Sequence, residues 1–283
     1  MSTVLKQDLF INSDVLEEHW KRVGRMLDFV SLLILAWALE MVDNGCGGGF
    51  GTILSPLLVV LGYDAKLIVP AILVSEMISG AWGGFWHWRF KNVDWKAVGL
   101  TLLGSLVAMG LATYVMYAFL PPAALKMVVS IFAVIMGVFV VIRSYMIERL
   151  ARIKVEKHKW LLTVMGFLIG YQKGTSGGNY GPFSVTGYMV MGYSAAVAIG
   201  TTTIAEGIAC TLGVAMYSQL TGIVLLIAAP LAIGSFIADP ISAWINNRLK
   251  KKLSPPFHGR LIGLAMTLIG LIALAKTLGL LQV

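Results

Sequence analysis

Apolar residues in this chain come in long blocks separated by short polar stretches, a pattern that predicts buried or membrane-crossing helices. After a polar, mixed-charge segment at 1–25, blocks fall at 26–43, 49–62, 66–87, 96–119 and 123–143. A second set falls at 160–173, 179–192, 195–218, 222–245 and 259–281. Most blocks are long enough to cross a hydrocarbon core of about 30 Å as helix, whereas 49–62 and 179–192 would reach only roughly 21 Å. Each short block follows a glycine run, DNGCGGGFG from Asp43 to Gly51 and KGTSGGNYG from Lys173 to Gly181. Irregular backbone inside a membrane is tolerated only where protein buries it or a cavity adjoins it, so each run predicts a helix broken within the protein. Pro56 and Pro182 add further breaks near the starts of the short blocks.

The two sets are copies. A shift of 130 places Gly47, Gly48, Gly51, Gly62, Tyr63, Glu76 and Gly83 on Gly177, Gly178, Gly181, Gly192, Tyr193, Glu206 and Gly213 with no gap. The expected fold is an all-α polytopic membrane protein of two homologous five-segment repeats, each with a Gly-rich broken helix. Repeat 1 covers 26–145, a charged cytoplasmic linker 146–158 and repeat 2 residues 159–283. Duplication with discontinuous helices is the pattern of secondary transporters. Three basic clusters, around Arg89–Lys96, Arg143–Lys159 and Arg248–Arg260, lie on one face if every segment crosses. Five crossings per half then make the repeats inverted, the preferred arrangement. Re-entrant short segments would instead make them parallel and put the last cluster outside.

Composition agrees: 58% of residues are hydrophobic and 13% charged, with a mean hydropathy of +0.82. The net charge of +8 lies in the loops, which reads as the positive-inside rule rather than a nucleic-acid surface. Cys46 and Cys210 both sit in apolar blocks and imply neither a disulfide framework nor a zinc site. Lys21, Arg22 and Arg25 before an apolar run ending Ala36-Trp37-Ala38 imitate a cleavable signal, but cleavage would remove a helix whose counterpart is kept. No nucleophile elbow, paired metal-spaced histidines or Walker motif points to an enzyme or an ATPase, and no cofactor is indicated.

Helix N-termini offer unpaired N–H groups and partial positive charge, and glycine lets a ligand approach them. Two such ends meeting near the midplane would bind a small anion through Gly47, Gly48, Gly49, Gly177 and Gly178. Asn44, Thr52, Thr175, Ser176, Asn179 and Tyr180 would add donors. Tight helix packing is the other reading of the same glycines. Glu76 and Glu206, mid-helix at matched positions, either carry coupling protons or support the loops through hydrogen bonds. Lys173 either supplies charge to an anion or snorkels to the interface. Trp82, Trp86, Trp88, His87 and Arg89 read as an interfacial belt. A channel for a small anion or polar solute is the alternative to a carrier.

The run from Gly45-Cys46-Gly47-Gly48-Gly49 to Pro56-Leu57, with its degenerate second copy, resembles the TauE/SafE sulfite-exporter family over about residues 26 to 281. That resemblance implies an ATP-independent exporter of sulfite, an organosulfonate or a related small oxyanion, multi-pass in the cytoplasmic membrane and homodimeric. The second motif departs from the pattern at Lys173 and Asn179.

Overall fold

The computed structural model describes residues 29–46, 49–150, 159–178, 180–220, 223, 225–248 and 256–281. The polar N-terminal segment, Gly47, Gly48 and Asn179 lie outside these residues, as do residues 151–158 of the linker. The described residues form ten helices and no strand: α1 Phe29–Cys46, α2 Phe50–Val60, α3 Ala65–Arg89, α4 Trp95–Phe119, α5 Pro122–Leu150, α6 Lys159–Ser176, α7 Tyr180–Val190, α8 Ala195–Leu220, α9 Leu225–Arg248 and α10 Pro256–Thr277. Helix α5 continues to Leu150, so the first part of the expected linker is helical. Nothing in the residue types there breaks a helix.

Helices α3, α4, α5, α8, α9 and α10 are long and apolar enough to cross a membrane. Burial separates inner from outer ones: α3 and α8 are 67% and 72% buried over their apolar windows, α10 only 22%. Outward faces carry Leu103, Val107, Leu111, Ile135, Ile142, Leu264 and Leu268, a surface that only lipid would solvate. This is a multi-pass membrane protein.

Glycines let the helices approach closely, since lipid supplies no hydrophobic force between them. Gly80 of α3 backs onto Gly207 of α8, Leu73 meets Gly213, and Gly84 meets Ile204, so α3 and α8 run antiparallel. Helices α5 and α10 are antiparallel too, with Gly137 on Thr267, Val141 on Gly263 and Ser144 on Gly259. Two other pairs run parallel. Thr101, Ser105 and Met109 of α4 meet Gly166, Gly170 and Gly174 of α6, while Glu40 and Asn44 of α1 bond to Ser235 and Asp239 of α9. Ser75 and Ser79 of α3 likewise reach Ser235 and Asp239, which aligns α3 with α1 and α9. Capping fixes where the long helices start: the Asp64 carboxylate accepts from Lys66 N at α3, and that of Asp94 from Lys96 N and Ala97 N at α4.

Candidate functional site

Helix α1 stops at Cys46 and α6 at Ser176 because glycine follows each. Gly177, with φ of 72°, takes the left-handed conformation that ends α6, and its N–H donates to Lys173 O at 2.8 Å. Lys173 therefore sits in the last turn of α6, where the helix dipole favours a cation. Helix α2 begins after Gly49 with no side-chain cap, so its first N–H groups are left for other partners.

The start of α2 and the end of α6 meet. Gly51, second residue of α2, faces the carbonyl of Gly177 and the Cα of Gly178, and a Cβ there would lie 2.9 Å from that Cα. Ser55 Oγ donates to Ser176 O at 2.7 Å and ties α2 to the end of α6. Beside this junction stand the two matched glutamates. Lys173 Nζ lies 2.7 Å from Glu76 Oε1 and 2.7 Å from Glu206 Oε1, with no exposed side-chain surface on the lysine. Lys173 does not snorkel: it is one of the largest fully buried side chains of the protein.

Glu76 Oε1 also lies against Gly51, only 2.8 Å from where a Cβ would be. A protein carboxylate thus lies against the first turn of α2, beside the position expected for a ligand anion. Glu206 and Gly181, the second residue of α7, line a cavity of about 10 Å³ together with Asp43, Asn44, Thr202 and Thr203. That is room for about one water and too little for an oxyanion. Among the described residues, this cavity leaves no space for an oxyanion beside Glu206. Carboxylate atoms of Asp43, Glu76 and Glu206 lie within 4.8 Å of one another, a grouping that could hold a cation, but the ammonium of Lys173 already contacts two of them.

The other sequence-predicted donors are spread around this centre. Thr175 Oγ1 and Ser176 Oγ each donate back to Gln172 O at 2.8 Å. Tyr180 OH donates to Ser105 Oγ of α4 at 3.3 Å. Thr52 is buried in the first turn of α2. Gly49, with φ of 151°, packs against Ile53 and Ile262. Gly47, Gly48 and Asn179 lie outside the described residues. Asn44 turns to a second network: its Nδ2 donates to Glu40 Oε1 at 3.0 Å and Asp239 Oδ1 at 2.5 Å, while its Oδ1 accepts from Thr203 Oγ1 at 2.8 Å.

Sequence reasoning missed Glu40 and Asp239 and left Asp43 without a role. A charge within an apolar block was signal enough. Comparison of the halves hid two of them, because positions 170 and 109, their counterparts, hold Gly and Met. Of the expected interfacial belt, Trp88 and Arg89 are exposed at one end of the bundle and Trp82 and Trp86 half-buried, whereas His87 is fully buried against Gly200 of α8 and does not belong to it.

Against known proteins, the profile of the family described as sulfite exporter TauE/SafE matches residues 32–274. The chain is 26% identical over 231 residues to YtnM of Bacillus subtilis (strain 168), described as a probable membrane transporter protein, covering 79% of this chain and 75% of that one. It is 23% identical over 236 residues to YjnA of the same organism, described in the same words, covering 79% and 92%. No solved structure matches the chain.

Proposed function

The chain belongs to the sulfite exporter TauE/SafE family of membrane transporters, and from that premise we propose that it carries a small sulfur-containing oxyanion, such as sulfite or an organosulfonate, across the cytoplasmic membrane. One observation carries the reading: Lys173 is held by Glu76 and Glu206 where the start of α2 and the end of α6 meet. A buried ammonium needs anionic partners, and here the protein's own carboxylates provide them. Protonation of either glutamate weakens its hold on Lys173 and clears the end of a short helix. An oxyanion then takes that place, on Lys173 and the N–H groups of α2 and α7. Anion and proton bind together in this scheme, so a proton gradient drives the flux. Among the described residues, the roughly one-water cavity beside Glu206 favours a carrier over an open channel.

The same reading makes the fold two inverted repeats, with Gly47, Gly48, Asn179 and Tyr180 completing the two loops. In its support, α1 and α6, α2 and α7, and α3 and α8 begin 130 residues apart. The pairing α4 with α6 becomes α9 with α1 under that shift, and the equivalent helices α3 and α8 are antiparallel. A two-fold axis in the membrane plane relates halves in this way. A homodimer through the exposed apolar surface completes the proposal.

The test is flux into proteoliposomes with sulfite, sulfate, taurine, sulfoacetate and chloride, with and without a proton gradient. Saturable, gradient-dependent flux of a sulfur oxyanion is expected. Unsaturable flux of several anions would replace the carrier with a channel, and absence of flux for all five would reject the anion.

A further inference from the structure

The carboxyls of Glu40 and Asp239 lie outside the Lys173 centre and have no role in it. Glu40 is on α1 and 1% exposed; Asp239 is on α9 and 0% exposed. They share two hydrogen-bond partners. Ser79 Oγ of α3 lies 2.8 Å from Glu40 Oε1 and 2.9 Å from Asp239 Oδ1, and Asn44 Nδ2 reaches both of the same oxygens. Ser235 Oγ donates to Glu40 Oε2 at 3.1 Å. Asp239 Oδ2, in a fully buried residue, has no partner at all. Among the described residues no Lys or Arg nitrogen lies within ion-pair reach of either carboxyl.

Hydrogen bonds among these groups do not balance unless a proton is added. The one hydroxyl hydrogen of Ser79 serves two carboxyl oxygens, and two ionised carboxylates drawn onto the same Ser79 and Asn44 donors would repel each other. Other charged groups facing the pair do not relieve this. Asp43 on α1, Glu76 on α3 and Glu206 on α8 are acidic, and Lys173 on α6 is already held by the last two. His87, further along α3, packs on Gly200 of α8 instead.

We propose that Glu40 and Asp239 form a proton-binding site separate from the Lys173 centre, holding one proton between them and thereby latching α1 to α9. In the closed protein the pair is one carboxylic acid donating to one carboxylate. On opening, the O–H bond breaks, the proton passes to water, and two adjacent carboxylates remain that push α1 away from α9. Asn44 links this latch to the centre, because its Oδ1 accepts from Thr203, which lines the cavity beside Glu206. The coupling role rests on the transport reading above; the proton itself does not.

The two are separated by measuring the proton without substrate. Infrared spectra of the full-length protein in nanodiscs at pH 7 should show carboxylic-acid C=O absorption that is lost in both Glu40→Gln and Asp239→Asn. Glu76→Gln should retain that component. Absorption unchanged in both amide variants, or absent in the wild type, would overturn the site. In proteoliposomes the protons moved per anion should fall by one in each amide variant. An unchanged ratio would remove the coupling role. If the wild type moves no anion, the transport reading fails while the infrared result still decides the proton site.

Discussion

Lys173 and Glu206, 33 residues apart, form an ion pair of 2.7 Å in which the lysine has no exposed surface. Glu76 completes it from α3 at the same distance. Two positions related by the 130-residue shift thus converge on one cation that breaks the relation, since its counterpart is Asp43. Removing one partner of such a group leaves a buried charge without compensation, which is costlier than never having had the pair.

Lys173→Met is therefore expected to destabilise the protein by about 3–5 kcal/mol, read as a lower thermal midpoint in detergent. Adding Glu206→Gln to it should recover part of the loss, because one stranded carboxylate is gone. A single variant as stable as the wild type would mean that the triad is not formed.

Glycines at the junction differ from glycines in the turns. At Gly178 a Cβ would lie 2.6 Å from Gly51 C and 2.7 Å from Thr52 N, both backbone atoms that cannot step aside. Gly62, with φ of 96°, has nothing within 4 Å, so alanine there meets only conformational strain, about 1–2 kcal/mol. Gly178→Ala should abolish recovery of folded protein, and Gly62→Ala should not. Equal yields from the two, measured by size-exclusion chromatography, would mean that these two helix ends do not abut.

The helical blocks were legible because lipid imposes them: length and apolar run each answer to a single constraint. The short helices Phe50–Val60 and Tyr180–Val190 fall inside the expected blocks 49–62 and 179–192. Glu76, Glu206 and Lys173 were singled out, yet the sequence does not say that they would bind each other, since that depends on how α3, α6 and α8 pack. The hydroxyls went astray for a related reason. Thr175 and Ser176 lie within α6, where the nearest acceptor is a carbonyl one turn back, and both take it. Glu40 and Asp239 meet across 199 residues of sequence, 40 to 239, without internal symmetry to mark them.

Glu76→Gln should act as a permanently protonated glutamate. With one carboxylate fewer against Lys173, an anion should bind tighter at neutral pH, by about tenfold if the change is worth about 1.4 kcal/mol. The sign follows from competition. In the wild type, affinity rises as pH falls and the carboxylate is neutralised; in the variant that slope flattens because the competitor is already neutral. Uphill accumulation driven by a proton gradient should be lost. Calorimetric titration with sulfite across pH gives the slope, and a variant with the wild-type slope would take the coupling away from Glu76.

The orientation of the bundle yields the last prediction. Helices α1, α3 and α9 run one way, and α4, α6 and α8 the other. The turn at Leu120 and Pro121 therefore lies at the opposite end from the loop holding Arg89, Lys91 and Lys96. The end of α9, with Arg248, lies at the basic end, as does the end of α5 beyond Arg143. By the positive-inside rule this basic end is expected on the cytoplasmic side and the Pro121 turn outside. In a background lacking Cys46 and Cys210, Lys96→Cys should resist an impermeant maleimide added to whole cells and react after permeabilisation, whereas Pro121→Cys should react at once. If the repeats were parallel, with the short helices re-entrant, α3 would enter from the side that α1 left, and α1 and α3 would be antiparallel. The shared bonds of Glu40 and Ser79 to the same stretch of α9 align α1 with α3, which supports the inverted arrangement of the proposed reading. Protection at Pro121 together with reaction at Lys96 would invert the whole assignment.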